Sequence, residues 1–233
     1  MVSWPATAEE LAAEQERVAA RVVEPWTAPD RALRLGACAV VFGTRRHAEV
    51  GWAAAVVEEA GEVVATATRI ARIEAPFKPG QLALREGPIL ERVVRELACR
   101  PDVLLVAAAG RDHPRRAGLA LHLGAVIDLP TAGVTDEPLL AVGEEPAATR
   151  GSQAPLRLGG EVVGYRVRTR GGTRPVVAHA GWRTSAAVAA ELVLKSCAVA
   201  RWPEPLQLAR RLARELRAVA GDDDPADHGR TPR

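Results

Sequence analysis

An uninterrupted run of apolar residues at 103–107 (VLLVA) is the sequence feature that most constrains the fold. Pro101 precedes the run and a polar loop at 110–116 follows it, so the run is long enough for a strand but too short for a helix. A strand without polar positions is covered on both faces, as central strands of parallel sheets are. The chain must therefore supply helices for both faces of a sheet.

The segment before this run predicts an antiparallel meander. Three β-rich stretches occupy residues 33–42, 52–57 and 62–73. A polar, turn-like linker at 43–49 separates the first two, and a turn centred on residues 60–61 separates the second and third. Short spacers of this kind favour antiparallel neighbours, so the stretches are predicted to pair in sequence order.

The rest of the chain alternates helical and strand-like segments. An N-terminal helix is predicted from the capping-box signature of Thr7 and Glu10 and from a partial apolar face of Leu11, Val18 and Val22. The other predicted elements, in chain order, are a helix at about 88–99, a helical segment after residue 116, a buried strand at 125–129 ended by Pro130, a Pro/Gly-rich excursion at 135–160, a hairpin of 162–168 with 175–179, and helices at about 185–200 and 206–219.

This order predicts an α/β fold, a mixed sheet with helices on both faces, in the outline of a ribonuclease H-like domain. The chain has 233 residues, which fits a single domain at 1–220 followed by a disordered tail at 221–233. Outline alone does not decide function, because one fold hosts many activities.

The sequence argues against several classes of protein. The N-terminus lacks the basic and apolar regions of a signal peptide, and no apolar run reaches the roughly 18 residues of a membrane helix. Cys38, Cys99 and Cys197 are the three cysteines, and they lie far apart, which argues against a disulfide framework or a zinc knuckle. We therefore expect a cytoplasmic protein with reduced thiols and no membrane partner. The net charge of +2 permits a nucleic-acid partner without requiring one.

Three sequence blocks resemble the endonuclease V family in content and in spacing. They are RIARIEAPFKPGQLALREGP at 69–88, GRDHPRRAGLALHLG at 110–124 and DLPTAGV at 128–134. Weaker matches at 35–42, 175–183 and 202–205 extend the resemblance over almost the whole chain. The resemblance implies a ribonuclease H-like fold that uses magnesium to cut a phosphodiester near deoxyinosine in DNA or inosine in RNA.

Most of the family's metal-site positions carry other residues in this chain. In such enzymes, carboxylates on adjacent strands hold a magnesium ion, which requires hard oxygen ligands. The resemblance places the family's two strand aspartates on Cys38 and Ala107. A lysine of the family corresponds to Asp136 in this chain, a late histidine corresponds to Trp182, and a nearby aspartate corresponds to Ala187. We therefore interpret the catalytic site as degenerate.

The resemblance also implies which functional residues are retained. Glu86 is the retained metal ligand, and Glu86 and His113 are the candidate catalytic residues. The candidate nucleic-acid-binding residues are the wedge loop of Pro76, Phe77, Lys78 and Pro79, the base-pocket residues Gly80, Leu82 and Gly110, and the phosphate-contacting pair Arg115 and Arg116. Each has a structural alternative: an acid at a helix start, a histidine that organises a turn, an apolar loop anchor, or a solvated arginine pair.

Three functional hypotheses follow. The leading one is an endonuclease V-like protein that binds DNA or RNA, including inosine-containing substrates, and has lost most or all magnesium-dependent cleavage. The second is an active enzyme whose metal site is rebuilt from Glu86, Asp112 and Asp136. The third is an interaction protein on the same fold. A Mg²⁺ cofactor is expected only if the protein is active.

Overall fold

A single mixed sheet with two layers of helices forms the protein. The computed structural model describes residues 4–45 and 48–220. The helices and strands of this part, in chain order, are α1 (Ala8–Ala19), β1 (Arg34–Arg45), β2 (Ala48–Glu59), β3 (Glu62–Arg72), α2 (Leu82–Arg95), β4 (Val103–Val106), α3 (Leu119–Ile127), β5 (Thr131–Thr135), β6 (Gln153–Leu158), β7 (Glu161–Val167), β8 (Val176–Ala180), α4 (Ala186–Lys195) and α5 (Glu204–Val219).

The meander predicted from the sequence is confirmed, with β1 and β2 longer than expected. Strand β1 pairs antiparallel with β2, and β2 with β3, around a two-residue turn at Ala60 and Gly61, which both have positive φ angles. The prediction of a linker at 43–49 was wrong, because backbone pairing continues to Arg45 opposite Ala48. Polar side chains do not prevent such pairing, since the ladder hydrogen bonds involve only the backbone.

The apolar run at 103–107 forms the central strand β4, which is fully buried and parallel to β1 and β5. The prediction of a strand at 125–129 was wrong. Residues 125–127 form the C-terminal end of α3, and β5 begins after Pro130. Helix α3 is buried on nearly all sides, so its sequence lacks the periodicity that separates a buried helix from a buried strand.

The second half of the sheet is antiparallel. The complete strand order is β3-β2-β1-β4-β5-β8-β7-β6. The hairpin predicted from 162–168 and 175–179 is confirmed as β7 and β8. The predicted excursion at 135–160 is only partly correct, because its end forms the edge strand β6. Alternating burial of Ala154 and Leu156 between exposed positions explains why this segment can cover the core as a strand.

Helices cover both faces of the sheet, as predicted. Helices α2 and α3 pack on one face, with α1 outside them, whereas α4 and α5 pack on the other. The side chains of β1 alternate accordingly, so that Cys38 belongs to the first layer and Ala37 and Ala39 to the second. None of the described helices is both long and apolar enough to cross a membrane.

Several helix boundaries differ from the predictions, and α2 and α4 end at Arg95 and Lys195, before the predicted ends. The capping box of Thr7 and Glu10 begins α1 as predicted, but Val22 lies beyond the end of the helix and is fully exposed. Helix α2 begins at Leu82, before Pro88, which lies inside it. A proline favours the first turn of a helix, which is why residue 88 was predicted as the start. Glu86 therefore lies in a helix interior and not at a helix start.

The predicted tail at 221–233 lies outside the described residues.

Candidate functional site

Three of the positions where the resemblance places metal ligands meet in one cavity. Cys38 of β1, Ala107 directly after β4 and Glu86 of α2 line a cavity of about 150 Å³. The register explains this convergence, because Cys38 lies opposite Val106 in the parallel pair of β1 and β4. Strand β4 ends there while β1 continues, so the space beside β1 is open to both helix layers.

The residues in this cavity do not fit a magnesium ion. Cys38 is fully buried, and burial, together with the nearby charge of Glu86, raises the pKa of its thiol far above the ordinary value. A thiol is a soft ligand and Ala107 offers no ligand at all. Among the described residues, Glu86 is the single carboxylate that lines the cavity. Within residues 4–45 and 48–220, no group of three or more His, Cys, Asp or Glu side chains could hold a metal ion.

Glu86 is an isolated carboxyl group. Burial raises its pKa to about 7, although the positive charges of Arg85 and Arg210 oppose the increase. Among the described residues, none forms a hydrogen bond or an ion pair with the Glu86 side chain. A single carboxyl group does not supply the several oxygen ligands that a magnesium ion requires from its surroundings.

The two other aspartates proposed for a rebuilt metal site are engaged elsewhere. The fully buried carboxylate of Asp112 accepts hydrogen bonds from the backbone N–H groups of residues 139–141 at 2.7–2.9 Å. The carboxylate of Asp136 accepts one from Arg201 at 2.6 Å and one from the indole of Trp202 at 3.1 Å. Neither aspartate lines the cavity of Glu86, so the three carboxylates do not converge.

A second cavity, of about 280 Å³, adjoins the first and shares Ala107 with it. The sequence-predicted residues that line it are Phe77, Pro79, Gly80, Leu82 and His113. The remaining wall consists mainly of residues 107–109 and of the segment 135–139. The structure therefore gathers most of the predicted base-binding residues around one cavity beside the degenerate site.

The loop of residues 76–79 separates this cavity from a third one. The aromatic ring of Phe77 is 66% exposed, although it lines the 280 Å³ cavity. Pro76 and Lys78 instead line a larger cavity, of about 540 Å³, on the other side of the loop. Buried Arg85 donates a hydrogen bond of 3.1 Å to the carbonyl of Ala75, just before the loop. No sequence pattern indicated this anchor.

His113 joins the wedge loop to the segment that carries the arginine pair. Its Nε2 lies 3.3 Å from the carbonyl oxygen of Gly80, and its Nδ1 accepts a hydrogen bond of 3.2 Å from the backbone N–H of Arg115. Because a carbonyl only accepts, these partners assign the neutral tautomer with the proton on Nε2. Burial lowers the pKa of His113, consistent with a neutral ring. Both nitrogens have protein partners, so the geometry indicates a positioning residue.

Two of the predicted pocket glycines have different roles. Gly80 has a φ of +75°, in the left-handed region that glycine adopts without strain, and it lines the cavity. Gly110 does not line it, contrary to the prediction. A side chain at Gly110 would overlap with the backbone carbonyl of Ala180, so this glycine permits close packing against β8.

The arginine pair is partly engaged in contacts within the protein. Arg116 donates a hydrogen bond of 2.6 Å to the carbonyl of Leu158 and lies 3.5 Å from the carboxylate of Glu161. Within the described residues, the side chain of Arg115 makes one long hydrogen bond of 3.4 Å, to Gln15. Arg115 is therefore the better placed of the two to contact a phosphate.

The last two positions of the family's set lie outside the cavity of Glu86. Trp182 is 4% exposed and packs in a small cluster with α1 and α3, while Ala187 is exposed on α4. Neither residue lines the cavity.

Sequence reasoning missed a buried polar network beside the second cavity. His179 is fully buried, with Nε2 2.7 Å from the hydroxyl of Thr135 and Nδ1 3.8 Å from Asp112. Burial lowers the pKa of His179 to about 4, although Asp112 opposes the decrease. No motif indicated this network, because its members are distant in sequence and only β5 and β8 bring them together.

Sequence reasoning also missed Arg210 of the last helix. Arg210 is half-buried and lines the cavity of Glu86. A signal was present: Leu206, Ala209 and Ala213 form the buried face of α5, and residue 210 lies at the margin of that face.

Comparisons with known proteins agree with this architecture. The family model for Endonuclease V matches residues 16–211. The chain is similar to the endonuclease V of Streptomyces coelicolor, with 40% identity over 215 residues, or 91% of each protein. It is also similar to the solved structure of endonuclease V from Streptomyces avermitilis, with a TM-score of 0.85 and 37% identity over 94% of this chain and 97% of that one.

A human protein gives the same result. The solved catalytic domain of human endonuclease V has a TM-score of 0.82 and 30% identity to this chain. The match covers 94% of this chain and 100% of the human domain. The ribonuclease H-like mixed sheet predicted from the sequence is therefore confirmed.

Proposed function

The chain belongs to the endonuclease V family, and from this premise we propose that it binds inosine-containing nucleic acid but has lost most or all magnesium-dependent cleavage. The observation that carries the proposal is the contrast between two adjoining cavities. The cavity of Glu86 lacks the ligands that the reaction requires, whereas the neighbouring cavity retains the residues expected to hold a base.

The loss of cleavage follows from the donor set. Metal-dependent hydrolysis needs an ion that activates water and stabilises the charge developing on phosphate. With Cys38 as a neutral buried thiol and Ala107 without a donor atom, one carboxyl group of raised pKa remains. The alternative of an active enzyme receives no support from Asp112 or Asp136, whose carboxylates hold other parts of the chain.

The binding function is supported by the second cavity. Its volume of about 280 Å³ and its mixture of apolar wall and a few polar groups suit a small planar ligand. Phe77 provides an exposed aromatic ring at this cavity, and bases taken out of a helix are commonly stabilised by stacking on such rings. A relative from Ciona intestinalis was solved in complex with DNA containing an inosine followed by a ribo-adenosine, and it shares the fold of this chain.

A combined binding and cleavage assay tests the proposal. Labelled oligonucleotides of DNA and of RNA, each with one inosine or with guanosine at the same position, are titrated with the protein in EDTA and then in magnesium or manganese. We expect tighter binding to the inosine strands without metal, and no metal-dependent product. Turnover that Glu86→Ala abolishes would overturn the proposed loss of activity. Equal binding to all strands would contradict the preference for inosine, and absent binding would favour an interaction protein.

The resemblance also implies a connection to DNA repair, which stays a prediction, as does the cytoplasmic location expected from the sequence.

A further inference from the structure

The cavity of Glu86 contains a cation that belongs to the protein itself. Arg210 of α5 reaches the cavity from the helix layer opposite α2, so that its guanidinium group and the Glu86 carboxyl group line the same space of about 150 Å³. The two side chains interact electrostatically, since each shifts the pKa of the other. They are not paired, because no ion pair within 4.0 Å joins them.

The guanidinium group of Arg210 has unused hydrogen-bond donors. Within the part of the chain that the structure describes, no hydrogen bond or ion pair involves this side chain. Burial lowers the pKa of Arg210, but a guanidinium group stays protonated in proteins. Because no group in the described part of the chain uses these donors, they are available to an anion that enters the cavity.

A chain of contacts holds Arg210 in place. Its guanidinium carbon lies 4.5 Å from the ring centroid of Trp202. The indole N–H of Trp202 donates a hydrogen bond of 3.1 Å to Asp136, which also accepts one of 2.6 Å from Arg201. Asp136, the position where the resemblance places a lysine, thus orients the aromatic ring on which Arg210 rests.

We propose that Arg210 takes the electrostatic place of the metal ion and binds a phosphodiester group of the nucleic acid directly, without a divalent cation. A planar guanidinium group with free N–H donors can bind two phosphate oxygens at once. Cys38 and Ala107 add no negative charge beside it, while the Glu86 carboxyl group, which lines the same cavity, repels phosphate only when it is ionised. The inference rests on the proposed nucleic-acid binding and names the residue that makes it independent of metal.

The test compares Arg210→Ala with Arg211→Ala. Arg211 is the matched control, because it is the next residue of the same helix, is exposed, and makes only an i,i+4 ion pair with Glu215 at 3.7 Å. Fluorescence anisotropy with a labelled inosine-containing single strand is measured over a series of salt concentrations, in EDTA and in magnesium at equal ionic strength.

We expect wild-type affinity to be the same in EDTA and in magnesium. Arg210→Ala should weaken binding about tenfold or more, since it removes charge-assisted hydrogen bonds, and should reduce the salt slope by about one. Arg211→Ala should change the affinity about twofold at most. Arg210→Lys keeps the charge and should keep the salt slope while losing part of the affinity.

Several results would overturn the inference. If wild type binds and Arg210→Ala behaves like Arg211→Ala, Arg210 does not contact phosphate. Wild-type binding that requires magnesium would show that a metal ion still holds the phosphate. If the melting temperature shows that Arg210→Ala is unfolded, Arg210→Lys and Arg210→Gln decide, because only the glutamine variant should lose the salt slope. Absent binding by wild type contradicts the proposed function instead.

Discussion

Replacing Glu86 by glutamine should stabilise the protein, and the gain should depend on pH. Burial raises the pKa of Glu86 from an ordinary value of 4.5 to about 7. The charged groups that face it, Arg85 on the same helix and Arg210 on α5, oppose the shift without cancelling it. Glutamine has nearly the same shape and cannot ionise, so the substitution removes the cost of burying the charge.

The sign and the size follow from proton linkage. Between pH 4.5 and about 7 the folded protein binds more protons at Glu86 than the unfolded chain, so its stability falls as the pH rises through this window. At about 1.4 kcal/mol per unit of pKa shift, the cost of the ionised group approaches about 3 kcal/mol above this window. Glu86→Gln should therefore change the free energy of unfolding little at about pH 4.5 and increase it by up to about 3 kcal/mol at about pH 8.

Urea unfolding of wild type and Glu86→Gln at these two pH values measures the effect. Glu62→Gln is the control, because Glu62 is exposed at the start of β3 and its substitution should give no comparable gain at either pH. A gain of equal size at both pH values would refute the argument, since it would have to come from packing. Destabilisation at about pH 8 would show that ionised Glu86 has a favourable partner.

Three further predictions test the site. Phe77→Ala should weaken binding to an inosine-containing single strand by about 1–3 kcal/mol and leave the melting temperature nearly unchanged, because the ring is 66% exposed. In native protein only Cys99 should react rapidly with a thiol reagent, because burial protects Cys38 and raises the pKa of Cys197 to about 12. The double variant Cys38→Asp with Ala107→Asp should melt at a lower temperature than wild type and recover on addition of magnesium, whereas Cys38→Ser with Ala107→Ser should not respond.

The sequence predicted those parts of the fold that local patterns determine. The uninterrupted run at 103–107 identified β4, and the short spacers around Gly61 identified the meander. Errors arose where tertiary packing decides between local alternatives. Residues 125–127 are apolar because α3 is buried on nearly all sides, and Pro88 lies inside α2 because this helix begins at Leu82.

The same distinction applies to the site. The convergence of Cys38, Ala107 and Glu86 could be predicted, because the resemblance carries the register of neighbouring strands with it. The roles of Asp112 and Arg210 could not, since they depend on contacts between segments that are distant in sequence. Asp112 is a polar residue in a polar loop by its pattern, yet it is fully buried and fixes the backbone of residues 139–141.

The differences from the family's site are coupled through charge. A divalent ion surrounded by carboxylates is close to neutral, and removing only the ion would leave buried negative charges that repel one another. In this chain two of the carboxylate positions are Cys38 and Ala107, and the charges that remain are the opposite ones of Glu86 and Arg210. The site is therefore balanced without a metal ion. A return to metal binding would require added carboxylates and also the removal of Arg210. Otherwise the added carboxylates would attract Arg210 into the place that the ion needs. Adding Arg210→Ala to the double aspartate variant should consequently increase its stabilisation by magnesium.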